Sequence, residues 1–293
     1  MITVFTPTYN RAHLLYRLYD SLKNQTYKNF EWLIVDDGSI DNTSSVVQKM
    51  IDDSKVNALF PIRYLKKENG GKHTAINWGV KEAEGELFFI ADSDDMLPTS
   101  ALEDVEKEYS LVKDDLTIGA IVGYDSFKNT SIKEYPLPFM SIDCTFVDFW
   151  SKFNIVQDMK EVFRTSVLRE YPFPEVAGEN FCPEELAWLR ISRHYKNHYI
   201  NRMIYIAEYQ PEGLSSNITK MRMQSPILAT WDYAEYNEYD IPIGKKIRNA
   251  INYWRFYFCI KDKSNIKKKI GMQWIWLKPV GWLFHCKDVI KVK

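Results

Sequence analysis

Three aspartates, Asp92, Asp94 and Asp95, stand just beyond a short unbroken apolar run, Leu87-Phe88-Phe89-Ile90-Ala91. A run apolar at every position, rather than at every second one, predicts a strand covered on both faces, as strands of parallel sheets are. Ligands of open α/β sheets gather beyond the carboxyl ends of such strands. Acids crowded there repel one another unless a cation joins them, and an all-oxygen ligand set suits Mg2+ or Mn2+. The stretch Asp92-Ser93-Asp94-Asp95 equally suits a solvated acidic turn before a helix starting near Pro98-Thr99-Ser100.

The residues before this strand alternate between two periods. Ile2 to Thr6 predicts a strand, and Arg11 to Asn24 a helix with Leu14, Leu15, Leu18 and Leu22 at helical spacing. Trp32 to Val35 predicts a second buried strand, followed by a helix capped by Asp41 or Asn42 that carries Val46, Val47, Met50 and Ile51 on one side. A third strand over Ile62–Leu65 precedes the Gly70-Gly71 turn and a helix from Lys72 to Ala83. Such alternation argues for a parallel sheet with helices on both faces. Beyond it the pattern is less regular, with strands near 118–122, 161–164 and 203–208, a helix over 183–195, and mostly helical signal after Ser215.

If the strands run parallel, three polar loops share one edge: Pro7-Thr8-Tyr9-Asn10-Arg11, Asp36-Asp37-Gly38-Ser39 and Asp92 to Asp95. Tyr9 offers a ring on which a nucleobase stacks, and Arg11 lies near helix amides suited to phosphate. Asp36 or Asp37 is suited to accept a base imide N–H or ribose hydroxyls. Gly71 permits close backbone approach, and Lys72 supplies a cation for phosphate oxygens. His73 sits beside that lysine, within reach of donor oxygens, whereas His194, His198 and His285 read as surface or packing residues. Each loop alone also fits ordinary turn chemistry.

Taken in order, these elements resemble glycosyltransferase family 2. The matching residues are Pro7 to Arg11, Val35 to Ser39 with Thr43, Gly70-Gly71-Lys72 through Ala75, Asn77 and Gly79, and Asp92-Ser93-Asp94-Asp95. The resemblance implies a GT-A fold over residues 1–215, with 1–100 binding a nucleotide-sugar and 101–215 facing the acceptor. It implies transfer of a sugar to an acceptor hydroxyl with inversion at the anomeric carbon. It makes Asp94 and Asp92 the ligands of Mn2+ or Mg2+, and Asp36 or Asp37 the acid that reads the base. Pro7, Thr8, Asn10, Asn77 and Ser93 join the nucleotide-sugar site on the same grounds. In Pro183-Glu184-Glu185-Leu186-Ala187-Trp188-Leu189-Arg190, counting back from Trp188 places Glu184 where the family carries its catalytic Asp; Glu185 is the neighbouring candidate. Glu208 to Asn217 resembles a loop that closes over the diphosphate, with Gly213 and Ser215 as its pivots.

Charge separates the C-terminal extension, 216–293, from the rest. The whole chain carries a net charge of −1, which calls for no nucleic-acid partner. From Gly244 to Lys293, thirteen lysines and arginines face two acids, Asp262 and Asp288. Ile247, Ile251, Trp254 and Phe258 form an apolar helical stripe expected to dock on the catalytic domain. The cluster Trp274, Ile275, Trp276, Leu277, Val280, Trp282, Leu283 and Phe284, broken by Pro279, suits a membrane headgroup region. The four cysteines form no C-x-x-C pair and no apolar run reaches the ~20 residues of a bilayer span, so the expected setting is cytoplasmic, peripheral to the inner face of the cell membrane.

The expected partners are therefore a nucleotide-sugar donor, a glycan or lipid-linked glycan acceptor, and an anionic membrane surface. Two alternatives stand beside this reading. A haloacid-dehalogenase-like phosphohydrolase also places Asp-x-Asp after an apolar strand, but it would use Asp92 as nucleophile and usually has Thr or Val where Met96 stands. A non-catalytic sugar-nucleotide-binding relative would keep the loops and lose the acid at Glu184.

Overall fold

In a computed structural model of the chain, the described residues are 1–127, 137–153, 155, 158–208 and 217–292. The elements follow in order as β1 (Ile2–Thr8), α1 (Leu15–Lys23), β2 (Phe30–Asp36), α2 (Thr43–Val56), β3 (Ile62–Lys66), α3 (Lys72–Glu82), β4 (Leu87–Ile90) and α4 (Ala101–Val112). Then come β5 (Ile118–Phe127), β6 (Ser141–Cys144), α5 (Phe146–Lys152), β7 (Met159–Arg164), α6 (Thr165–Glu170), α7 (Glu184–Ile191) and β8 (Lys196–Ala207). Four helices follow: α8 (Ile218–Gln224), α9 (Pro226–Tyr236), α10 (Ile243–Tyr257) and α11 (Lys278–Val292).

Among the described residues the strands form one eight-stranded sheet, ordered β3-β2-β1-β4-β7-β5-β8-β6. The first four run parallel, as do β5 and β8, while β7 and β6 run against their neighbours. This is an α/β fold with a mostly parallel sheet flanked by helices and a helical C-terminal extension. β4 explains the unbroken apolar run: Phe88 faces a core built with α3, α5, α6 and α7, and Phe89 faces the opposite core built with α1, α2 and α4. Both rings are fully buried, and truncating either to alanine would cost about 3–5 kcal/mol.

Several boundaries differ from the periodic reading. The first helix begins at Leu15 rather than Arg11, because Asn10 adopts φ 54° and the next residues form a turn. That turn is tied down by Asp41, whose Oδ2 accepts from the Ala12 N–H at 3.2 Å. The helix read as 183–195 stops at Ile191. β6, α5 and α6 gave no readable signal, being four to seven residues long.

The extension packs on the sheet domain through α9. Arg190 of α7 holds Glu235 of α9 at 2.7 Å, and Glu179 accepts from the first N–H groups of α9, Ile227 and Leu228. A separate small core joins α9, α10 and α11 around Trp254, Ile270, Trp274 and Leu277. The stripe Ile247, Ile251 and Trp254 therefore packs within the extension itself, while Trp276, Trp282 and Leu283 are exposed.

Candidate active site

The parallel register Thr8↔Asp36 and Phe5↔Ile90 sets the carboxyl ends of β1, β2 and β4 side by side. Their loops are stitched together by short polar bonds. The Asn10 N–H donates to Ser39 Oγ at 2.8 Å, and Asn10 Oδ1 accepts from the Ile40 N–H at 2.9 Å. Tyr9 is left half-exposed beside them, its ring available to a stacked ligand. Thr8 is buried with an unpartnered hydroxyl, and Pro7 lies in the same strand end.

At the end of β2 both carboxylates are engaged, Asp37 on all four acceptor positions and Asp36 once on each oxygen. Asp36 accepts from the Ser39 N–H at 2.7 Å and from the Tyr64 hydroxyl. Asp37 accepts from the N–H groups of Gly70 and Gly71 at 3.0 and 2.7 Å, from Lys67 at 2.7 Å and from Asn69 at 3.2 Å. These bonds shape the Gly-Gly turn. Gly71 has φ 93°, and a Cβ on it would lie 2.0 Å from the Asn180 carbonyl oxygen, so glycine is required twice over.

The carboxylates after β4 meet side-chain cations instead. Arg11 Nη1 lies 2.6 Å from Asp94 Oδ2. Lys72 Nζ, in the first turn of α3, lies 2.6 Å from Asp92 Oδ1 and 2.8 Å from Glu184 Oε1. Lys160 Nζ approaches Asp92 to 3.9 Å and sits 4.1 Å above the Tyr205 ring. Burial alone would raise the Asp92 carboxyl, but Lys72, Lys160 and Arg11 bring it down to about 2. Burial likewise opposes charge on Lys72, yet Asp92 and Glu184 raise it above the ordinary lysine value. Asp95 is different. Burial and the charge of Asp92 push it up to about 7, while it accepts from the Tyr205 hydroxyl and the Glu208 N–H at 2.8 Å each. Ser93 is buried between these acids.

The sequence-predicted residues thus divide. Lys72, Asp92 and Glu184 come together as one chain of ion pairs, and Arg11 and Asp94 form a second pair at the same strand end, with Tyr9 and Gly71 on adjoining loops. Asn77 is used elsewhere: its side chain donates to the Phe173 carbonyl and Glu175, and accepts from the Phe173 N–H. Glu185 is exposed, and its charge acts on the Arg222–Asp232 pair, whereas Glu184 is the acid that meets Lys72. His73 is buried with both ring nitrogens unpartnered, and burial lowers its basicity. His198, read as surface or packing, is buried and meets Asp143 at 2.6 Å. Residues 209–216 of the expected closing loop lie outside the described residues.

Three residues escaped the sequence reading. Lys160 and Glu161 open β7, and because β7 runs antiparallel its start lies at the carboxyl edge of β4. Burial pushes the Glu161 carboxyl up to about 8, Lys160 pulling it down and Glu184 adding to the rise. Tyr205, near the end of β8, accepts from the Asp92 N–H at 2.8 Å. The polar Lys-Glu pair ahead of Val162-Phe163 was the available signal, but its meaning depends on strand direction.

Among the described residues no three carboxylate, imidazole or thiol groups converge as a closed metal cage. The donor type nevertheless fits a hard cation: Asp92 and Asp94 offer oxygens only, and their present partners are long, mobile side chains.

The Glycosyl transferase family 2 profile matches residues 3–171. Glycosyltransferase GlyG of Streptococcus pneumoniae is 35% identical over 127 residues, 43% of this chain and 40% of GlyG. The poly(ribitol-phosphate) beta-N-acetylglucosaminyltransferase TarP of Staphylococcus aureus is 36% identical over 122 residues, 40% of this chain and 36% of TarP. The chain thus matches less than half the length of these curated relatives. The crystal structure of S. aureus TarS 1-349 with UDP superposes at a TM-score of 0.60 and 19% identity, covering 98% of this chain and 88% of that one. The mannosyltransferase PcManGT of Pyrobaculum calidifontis, in complex with GDP-Man and Mn2+, superposes at 0.55 and 18% identity, covering 99% and 75%. These neighbours share the GT-A fold, and the family match replaces the phosphohydrolase alternative. The chain belongs to glycosyl transferase family 2.

Proposed function

We propose that the chain is an inverting glycosyltransferase that moves a sugar from a nucleoside-diphosphate donor, UDP-linked, to an acceptor hydroxyl in cell-surface polysaccharide or glycolipid assembly. The observation that carries this reading is Lys72, one ammonium shared between Asp92 and Glu184. It joins the edge suited to a diphosphate to the helix that carries a candidate base.

In the proposed reaction Glu184 takes the proton of the acceptor hydroxyl as that oxygen bonds to the anomeric carbon. The bond from that carbon to the diphosphate oxygen breaks, and its electron pair leaves with the nucleoside diphosphate. Lys72, Lys160 and Arg11 exchange carboxylate partners for phosphate oxygens and hold the leaving charge. Asp94 and Asp92 would hold Mn2+ or Mg2+, which neutralises diphosphate charge when bound. Tyr9 would stack on the base, and Asp37 and Gly71 would fix the loop facing it. UDP is favoured because the TarS neighbour is a UDP complex. The acceptor is a glycan or lipid-linked glycan, and the free cysteines suit a reducing, cytoplasmic setting.

The test pairs calorimetry with turnover. UDP, GDP and CDP are titrated with Mn2+ present, and labelled donors of the tighter-binding base are then screened for transfer. A Glu184→Gln protein that binds nucleotide normally and still turns over at the native rate would end the assignment of the base.

A further inference from the structure

α11 is packed the wrong way round for a helix that faces water. Its inner side meets α10 through Gly281, where a Cβ would lie 2.4 Å from Trp254 Cβ, and through Asp288, whose Oδ1 is 2.8 Å from Arg255 Nη2. The outer side carries the large apolar residues. Met272, Ile275, Trp276, Trp282, Leu283 and Ile290 are all more than half exposed. With Pro279 and Cys286 between them, they recur every three or four residues from the short 3-10 helix at 272–277 through α11, which puts them on one side. An apolar stripe this long, left in water, marks a surface with a partner.

Charge identifies the partner. Of the two acids after Gly244, Asp288 is engaged by Arg255, and Asp262 accepts from Ser264 within its own turn. Lys267, Lys269, Lys287 and Lys291 are exposed, the last two on α11 beside the stripe. A second copy of this face would set the exposed Lys267, Lys269, Lys287 and Lys291 against the same lysines, with no free acid among the described residues after Gly244 to meet them. Tryptophan rings with lysines around them match the anionic headgroup layer of a bilayer, where a ring stays half wet and an ammonium finds phosphate.

We propose that the outer stripe of α11 and the turn before it is a docking surface for anionic lipid. The helix lies in the plane of the interface, with Trp276, Trp282 and Leu283 inserted and the lysines on the headgroups. The link to the candidate base is short, since α11 packs on α10, α10 on α9, and α9 on α7. A docked enzyme would meet acceptors that are themselves held in the membrane.

The experiment needs no donor, so its outcome is independent of the transferase reading. The full chain is sedimented with equimolar phosphatidylglycerol–phosphatidylcholine vesicles and with pure phosphatidylcholine vesicles. Binding is expected to the anionic vesicles alone, and to weaken at least about tenfold when NaCl rises from about 0.1 to about 0.5 M. The triple variant Trp276→Ser, Trp282→Ser, Leu283→Ser is expected to lose at least about tenfold in binding, with its circular dichroism and Tm unchanged because all three residues are solvent-exposed. Lys287→Glu with Lys291→Glu is expected to weaken binding without touching the apolar stripe. Absence of binding to anionic vesicles at low salt overturns the proposal, as does equal binding by the native chain and both variants. A concentration-dependent dimer that the triple variant dissolves, without vesicle binding, overturns it in favour of a second copy.

Discussion

The acids after β2 and the acids after β4 stand on neighbouring loops and are treated in opposite ways. Asp36 and Asp37 each accept backbone N–H groups of their own or the neighbouring loop, Asp37 with Lys67 in addition, so these bonds hold the loops in shape. Asp92 and Asp94 are met by the tips of Arg11, Lys72 and Lys160. A backbone donor cannot leave without refolding the turn, whereas a lysine tip swaps partners by rotating a few bonds. The first pair is scaffold. The second pair is held by side-chain tips that can change partners.

The sharpest division should come from Glu184→Gln, which removes the candidate base while Lys72 keeps Asp92. Turnover is expected to fall about 10³-fold, with nucleotide affinity nearly unchanged by calorimetry. Asp37→Ala tests the scaffold side. It strands the N–H groups of Gly70 and Gly71, and urea unfolding should show a loss of about 2–4 kcal/mol. Asp94→Asn tests the exchangeable side: kcat/KM should fall about 10²-fold while Tm moves by less than about 2 °C, since a partly exposed pair adds little stability. If Asp94→Asn destabilises as much as Asp37→Ala, the contrast between the loops is lost.

Lys160→Met should raise KM for the donor about tenfold, equivalent to about 1.4 kcal/mol, and leave kcat close to native. An unchanged KM would mean that Lys160 only screens Asp92. The smallest effect concerns Glu161. Its carboxyl is raised in the fold to about 8, so its favourable contribution is complete in acid and lost as pH climbs toward that value. Glu161→Gln removes the dependence. Its Tm should therefore gain on the native protein by a few degrees between about pH 4.3 and 8.5, a modest span because the side chain keeps some contact with water. A parallel pair of Tm curves would place Glu161 in solvent.

Much of this contrast was written in order along the first hundred residues. β1, β2 and β4 are buried runs with polar ends, β3 is a half-buried edge strand, and local pattern suffices when every strand points the same way. The loops could be named, but their internal bonding could not. Whether Asp37 reads a base or ties a turn depends on where Asn69 and Gly70 fold back, and Asn77 depends on Phe173 nearly a hundred residues away. Lys160 and Glu161 stayed hidden because β7 reverses direction, which turns the start of a strand into a neighbour of other strands' ends. Glu184 was legible only by counting from Trp188, and its contact with Lys72 joins residues that periodicity cannot bring together. In the extension, periodicity found the buried stripe. It could not tell which of the later tryptophans turn inward, as Trp274 does, and which turn out, as Trp276 does.

The contact between Gly71 and the Asn180 carbonyl is backbone against backbone, and it lies at the seam where the start of α3 meets the loop leading into α7. The carbonyl that Gly71 approaches is there whatever side chain stands at position 180, although the Asn180 amide present here also donates to Asn69 Oδ1 at 3.5 Å. A change at position 180 would therefore forfeit that one long bond and leave the backbone approach in place. A change at position 71 would remove the approach itself, because any Cβ there collides with the carbonyl.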